Sequence, residues 1–189
     1  MDGTKEHILT LALEAFSNRG YNSVGVQEIC TQAGLTKPTL YYHFKSKQGL
    51  LAAIAETYYD PFVYRVGKAF IYTQNVSGSL NQALDVFLDS ARTTPVFTRL
   101  RLALTFSPPD SEEHRTFLPY TESLYRFAGD FFMAASKDHG NMIGRELAYA
   151  ASFIGTADAY AALILAGTLD LGQKYQPRIV HHFMHGIYS

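Results

Sequence analysis

Residues 25–44, GVQEICTQAGLTKPTLYYHF, constrain the chain more than any other stretch. Val26, Ile29, Cys30 and Ala33 repeat at i, i+3, i+4 and i+7, the spacing of one apolar stripe on a two-turn helix. Gly25 stands at its N-cap. Gly34 follows the last stripe residue, where a helix end favours a residue that accepts positive φ. Leu35 turns inward, Thr36 is placed to cap a second helix, and Pro38 falls in the first turn, where no intrahelical donor is lost. Leu40 and Phe44, at i and i+4, face the core, which leaves Lys37, Thr39, Tyr41, Tyr42 and His43 outward. A helix this short buries too little surface to stabilise itself. Its polar and aromatic outer face therefore predicts a further task, and the pattern fits a helix-turn-helix whose second helix enters a DNA major groove.

The flanks agree. Ile8, Leu11, Ala12, Ala15 and Phe16 predict an amphipathic helix from Thr4 to Arg19, ended by Gly20. It would cross behind the pair and complete a small three-helix domain. Ser46 is an N-cap candidate for a fourth helix, where the first amides together with Lys47 can hold a phosphate.

Residues 4–59 resemble the DNA-binding domain of TetR-type transcriptional regulators. The marks are Ile8-Leu9, Ala15-Phe16, Gly20-Tyr21, Val26 with Ile29-Cys30, Ala33-Gly34-Leu35, the run Thr39 to Lys47, and Leu50-Leu51. The resemblance implies that Lys37, Pro38 and Thr39 approach base edges, with Thr36 just ahead of them on the same face. It implies that Tyr41 touches base or backbone, that Tyr42 and His43 contact phosphate, and that Lys47 pairs with phosphate across the groove. Gln27, outward on the first helix of the pair, offers a base edge both a donor and an acceptor. Two departures stand out. Val24 and Gly25 occupy positions where the family usually has Ser or Thr, so Gly25 offers phosphate only its backbone N–H. Cys30 replaces a usual Ala and reads as a buried structural thiol.

Charge bears on this reading. The net charge of the 189-residue chain is −1. Residues 1–50 carry five Lys/Arg against four acids, and three of those cations (Lys37, Lys45, Lys47) lie on the proposed DNA face. A local positive face is enough for DNA, and the more acidic remainder limits nonspecific binding. One cysteine excludes an intramolecular disulfide framework. The sequence shows no signal-peptide pattern and no apolar run long enough to span a bilayer, and predicts a cytoplasmic protein.

The rest of the chain predicts an all-α fold of about nine helices. It divides into a helix-turn-helix domain over 1–46 and a helical effector-binding and dimerisation domain over 47–189. A long helical pattern starts near Ser46 and breaks or kinks at Pro61. Asn75–Ser79 reads as a loop, and helices follow over Leu80–Ala91, over Pro95–Phe106, and from Asp110 or Ser111 to about Lys137. After a turn at 138–141 comes an apolar helix, Ile143–Leu169, rich in Ala and Gly, and a last helix from Pro177 to His185. Small residues allow close helix approach. The resemblance implies that the last two helices pair with those of a second copy, and a homodimer suits a palindromic operator.

Thirteen Tyr and thirteen Phe, many of them between residues 58 and 132, suit an apolar pocket with a few placed polar groups. In the family resembled, the C-terminal helices enclose a small-molecule effector. Phe62, Phe97, Arg101, Tyr120 and Tyr125 are the candidates for it, each with core packing as the plainer role. Arg101, in an apolar helix, would pair with an acidic effector or with Asp89 or Glu122. His181 and His185 share a helix face, but no carboxylate or cysteine nearby completes a metal set, so no metal and no cofactor is expected.

The reading is a DNA-binding regulator, a repressor released by its effector. The rivals are a small all-helical enzyme, for which the sequence offers no nucleophile–base set or phosphate loop, and a regulator answering to a protein partner.

Overall fold

The computed structural model describes residues 3–168 and 176–186. Its helices are α1 (Gly3–Arg19), α2 (Val26–Gln32), α3 (Lys37–Phe44), α4 (Lys47–Ile54), α5 (Asp60–Ala69), α6 (Val76–Thr93), α7 (Pro95–Thr105), α8 (Glu112–Ser136), α9 (Glu146–Leu165) and α10 (Gln176–His185). A π-helical turn, Ala55–Tyr59, joins α4 to α5 without a break. Counted as one rod, these give nine helices among the described residues, and the fold is all-α.

Backbone packing gathers the chain into two compact units. Unit 1 comprises 1–61 with 96–119, and unit 2 comprises 62–95 with 120–189. In unit 1, α1 packs on α2 and α4, while α3 packs on both α2 and α4. The buried stripe of α1 is Ile8, Leu9, Ala12, Leu13 and Phe16. Leu9 and Leu13 therefore take the inward places expected of Leu11 and Ala15. Both sets share Ile8, Ala12 and Phe16 at i, i+4 spacing, so periodicity alone left that rotation open. Gly20 (φ 82°) and Gly34 (φ 66°) end α1 and the α2 turn in the left-handed region. Tyr59 packs edge-on to Phe97, centroids 5.6 Å apart, and against Phe117 at 5.3 Å.

Pro61 does not break its helix. The π turn ahead of it adds a residue to the ladder, which accommodates the lost donor and the ring's bulk. Asn75–Ser79 is no loop either. Asn75 caps α6 by accepting from the Gly78 N–H at 2.8 Å, and a capped first turn tolerates Ser and Gly. In unit 2, α6 packs on α9 and α10. Phe62 meets Phe87 edge-on at 5.1 Å, and Phe70 packs on Phe131 at 5.6 Å and on Phe153 at 5.7 Å.

Helix α9 begins three residues later than expected, past Gly144 (φ 76°). It ends at Leu165, ahead of Gly167 (φ 66°); Leu169 lies outside the described residues. It also corrects the reading that nothing in the chain is long and apolar enough to cross a bilayer. The helix has 20 residues and a mean hydropathy of 1.3 over its most apolar window, of which 33% is buried. Its many alanines raise that mean without a run of large apolar side chains, which is why the sequence did not show it.

Candidate nucleic-acid interface

The two helices of the motif form as their caps dictate. Gly25 is extended (φ −86°, ψ 144°), and its carbonyl accepts the N–H of Glu28 and Ile29. Thr36 is extended too, but its hydroxyl caps no amide; it hydrogen-bonds the Thr39 hydroxyl at 3.0 Å. That pairing fixes two hydroxyls side by side at the start of α3. Leu40 and Phe44 are buried and anchor the helix, and Ile29 and Cys30 anchor α2 beneath it. Burial pushes the Cys30 thiol up from its usual range, and the Lys37 charge offsets part of that.

The outer face then follows. Gly25, Gln27, Thr36, Lys37 and Pro38 are exposed, and Thr39 and His43 are half-buried. Tyr41 is 39% exposed and Tyr42 76%, large values for aromatic rings with a packed core one turn away. His43 meets Tyr42 edge-on at 5.2 Å. Lys45 closes α3 in the left-handed region (φ 66°), and its Nζ lies 3.3 Å from the Tyr42 carbonyl and 5.9 Å above the Tyr42 ring. Ser46 caps α4 by accepting from the Gly49 N–H at 2.8 Å. A cation, two tyrosines, paired hydroxyls and the amide-rich start of α4 thus follow one another along α3 and the turn into α4. This arrangement suits a polyanion whose base edges carry donors and acceptors.

Lys47 stands apart from the other cations. It is half-buried, with Nζ 4.1 Å from the Tyr21 ring centroid and 5.9 Å from that of Phe16. The Tyr21 hydroxyl donates to Glu112, and Asn22 Nδ2 donates to Glu113 at 2.7 Å. Burial lowers the Lys47 ammonium from its ordinary value, while Glu112 and Glu113 pull it back up. Burial, reinforced by the bond to Glu112, holds the Tyr21 phenol well above its ordinary value. No sequence signal linked these groups, since Tyr21 and Glu112 lie 91 residues apart.

The effector candidates divide between the units. Phe97 and Arg101 are buried in unit 1; Phe62 is buried in unit 2, where Tyr120 and Tyr125 are half-buried. Asp89, one partner considered for Arg101, bonds Arg65 at 2.6 Å. A cavity of about 310 Å³ opens in unit 2, lined in part by Leu80, Phe132, His139, Tyr149 and Phe183; none of the five candidates lines it. No metal-holding cluster of His, Cys, Asp or Glu occurs among the described residues.

These features define an all-α helix-turn-helix protein, and comparison with known proteins specifies it further. Residues 8–54 match the family model described as bacterial regulatory proteins, tetR family. The HTH-type transcriptional activator FasR of Mycolicibacterium smegmatis is 36% identical over 88 residues, covering 47% of this chain and 40% of that protein. The HTH-type transcriptional regulator AcrR of Shigella flexneri is 43% identical over 53 residues, 28% of this chain and 25% of AcrR. The match thus spans well under half the length of these relatives. Over the whole chain the fold is similar to that of the fatty acid degradation regulator FadR from Bacillus halodurans, with TM-score 0.77, 16% identity, and 100% and 98% of the two chains covered. FadR from Bacillus subtilis, in complex with stearoyl-CoA, gives TM-score 0.74 at 16% identity, covering 97% and 99%. Residues 8–54 are thus similar to the helix-turn-helix part of TetR-family transcriptional regulators, and over the remainder the similarity to solved structures is one of fold.

Proposed function

We propose that the chain binds duplex DNA as a cytoplasmic homodimer and represses transcription until a small-molecule effector releases it. The exposed face of α3 carries this reading: Lys37, Pro38, Tyr41 and Tyr42 stand out from a helix whose Leu40 and Phe44 are locked in the core. Gly25, Gln27, Thr36, Thr39, His43 and Lys47 complete the assigned DNA face. Dimerisation is assigned to α9 and α10. Along α9 the exposed residues Ala148, Ala151, Ser152, Gly155, Ala159 and Ala162 form a small-residue stripe at helical spacing, which lets a partner helix approach closely. A two-fold dimer presents two copies of α3 to successive major grooves of a palindromic operator.

The effector acts by binding one spacing of the paired recognition helices better than another. The ligand of the Bacillus subtilis FadR structure, stearoyl-CoA, suggests the class: a long-chain acyl thioester. Phe62, Phe97, Arg101, Tyr120 and Tyr125 are the residues to vary singly. The sign of regulation has one counter-indication in the activator FasR, and a promoter fusion with and without the chain decides it.

The test of the DNA face is Tyr41→Ala. Selection from random duplexes yields a preferred site, and the variant binds that site about tenfold more weakly, the equivalent of one lost contact, while dimerising as the parent does. Unchanged affinity contradicts the assigned face. Adding stearoyl-CoA to the preformed complex releases the DNA if the effector class is right, and leaves the anisotropy unmoved if it is not.

A further inference from the structure

Lys47 is a cation of the proposed DNA face whose ammonium the fold engages with residues outside α3. Its ammonium lies over the Tyr21 ring at 4.1 Å, with the Phe16 ring at 5.9 Å. Tyr21 is itself held in place: it is buried, edge-on to Phe16 at 5.1 Å, and its hydroxyl donates to Glu112. The neighbouring Glu113 is buried and accepts from Asn22 at 2.7 Å, and its other oxygen, Oε2, accepts no hydrogen bond from the protein. Glu112 thus acts on Lys47, at the first turn of α4, through the aromatic ring that it fixes, and the charges of Glu112 and Glu113 both favour the ammonium.

We propose that Tyr21, Glu112 and Glu113 are positioning residues that hold Lys47 back from the operator phosphate, so that binding DNA requires the lysine to leave them. The inference rests on the DNA-binding reading and adds to it a built-in restraint on affinity. An aromatic face attracts an ammonium, and a desolvated site strengthens that attraction. A phosphate competing for the same charge must overcome both the ring and the two carboxylates. The start of α8 is where the restraint is set, because Glu112 and Glu113 are its first two residues. A displacement of that turn changes how firmly Lys47 is held without touching any residue of α3.

The test uses the full-length chain and the duplex it selects from a random pool. Glu112→Gln keeps an acceptor for the Tyr21 hydroxyl and removes the charge. The expected result is about fivefold tighter binding of that duplex, as befits one weakened charge contact near the surface. In a Lys47→Met background the same substitution is expected to change affinity less than twofold. A purely structural or general electrostatic role for Glu112 predicts equal effects in both backgrounds, and that result overturns the proposal, as does weaker binding by Glu112→Gln. A second readout needs no substitution. In the free protein, NMR is expected to show the Lys47 side-chain protons nearest Nζ shifted upfield by the Tyr21 ring current, and saturating duplex to return them to ordinary positions. Shifts that stay unmoved on saturation refute the restraint. Selection of no duplex by the parent chain overturns the DNA-binding reading itself, and the inference with it.

Discussion

Gly49 is a residue on which the interface depends through geometry alone. A Cβ built there falls 1.9 Å from the Phe44 carbonyl oxygen, a backbone atom with no rotamer to yield. The turn from α3 into α4 closes over that hydrogen. Gly49→Ala is expected to destabilise unit 1 by about 1–3 kcal/mol, as overpacking does; the thermal midpoint reads it. Tyr21 gives a pH signature. Its folded-state value lies above the ordinary 10.0, so above that pH the folded chain keeps a proton the unfolded chain loses. The contribution is therefore fully present below about pH 10 and is lost as pH rises beyond it. Denaturant midpoints measured from pH 9 to 11 should fall less steeply for Tyr21→Phe than for the parent. Lys47, whose value is lowered, runs the other way: its burial cost fades as pH approaches 10.5.

Among the elements, α1 to α3 were legible because glycines at positive φ, a proline in a first turn and short apolar stripes all agree locally. The start of α6 was not, since Val76–Ser79 reads as loop until Asn75 is seen to cap it. The π turn before Pro61 was hidden for a similar reason: a proline reports a lost donor, not how the ladder absorbs it. The restraint on Lys47 joins residues far apart in sequence, where no spacing rule operates. At this scale α9 carries a prediction. Ala159, exposed on the small-residue stripe, has little to lose in the isolated chain. Ala159→Glu should halve the mass seen by light scattering, leave the helical circular dichroism unchanged, and weaken operator binding about a hundredfold or more as the paired half-sites are lost. A dimer that survives the substitution removes α9 from the interface.

Across the whole molecule, the chain passes between its two units three times, after Pro61, Pro95 and Pro119. Each passage therefore lies beside a residue that donates no backbone hydrogen bond. Pro119 stands inside α8, the helix whose first turn holds Glu112 and Glu113 and whose later turns carry Phe131 and Phe132 of the unit 2 core. One continuous element thus contains both the proposed restraint on Lys47 and part of the core of unit 2. Effector class, operator sequence and direction of control belong to bound states, and nothing in residue spacing encodes them.

The central claim is that this fold reads duplex DNA, and equilibrium binding to a random duplex pool tests it most directly. Fluorescence anisotropy on the enriched duplex, at two salt concentrations and with excess unrelated competitor, supplies the numbers. The account predicts a single enriched, two-fold symmetric site, bound by two chains and resistant to competitor. It also predicts that log K falls with log salt at a slope of about −0.9 per phosphate contacted. No enrichment, or binding indifferent to sequence and salt, contradicts it.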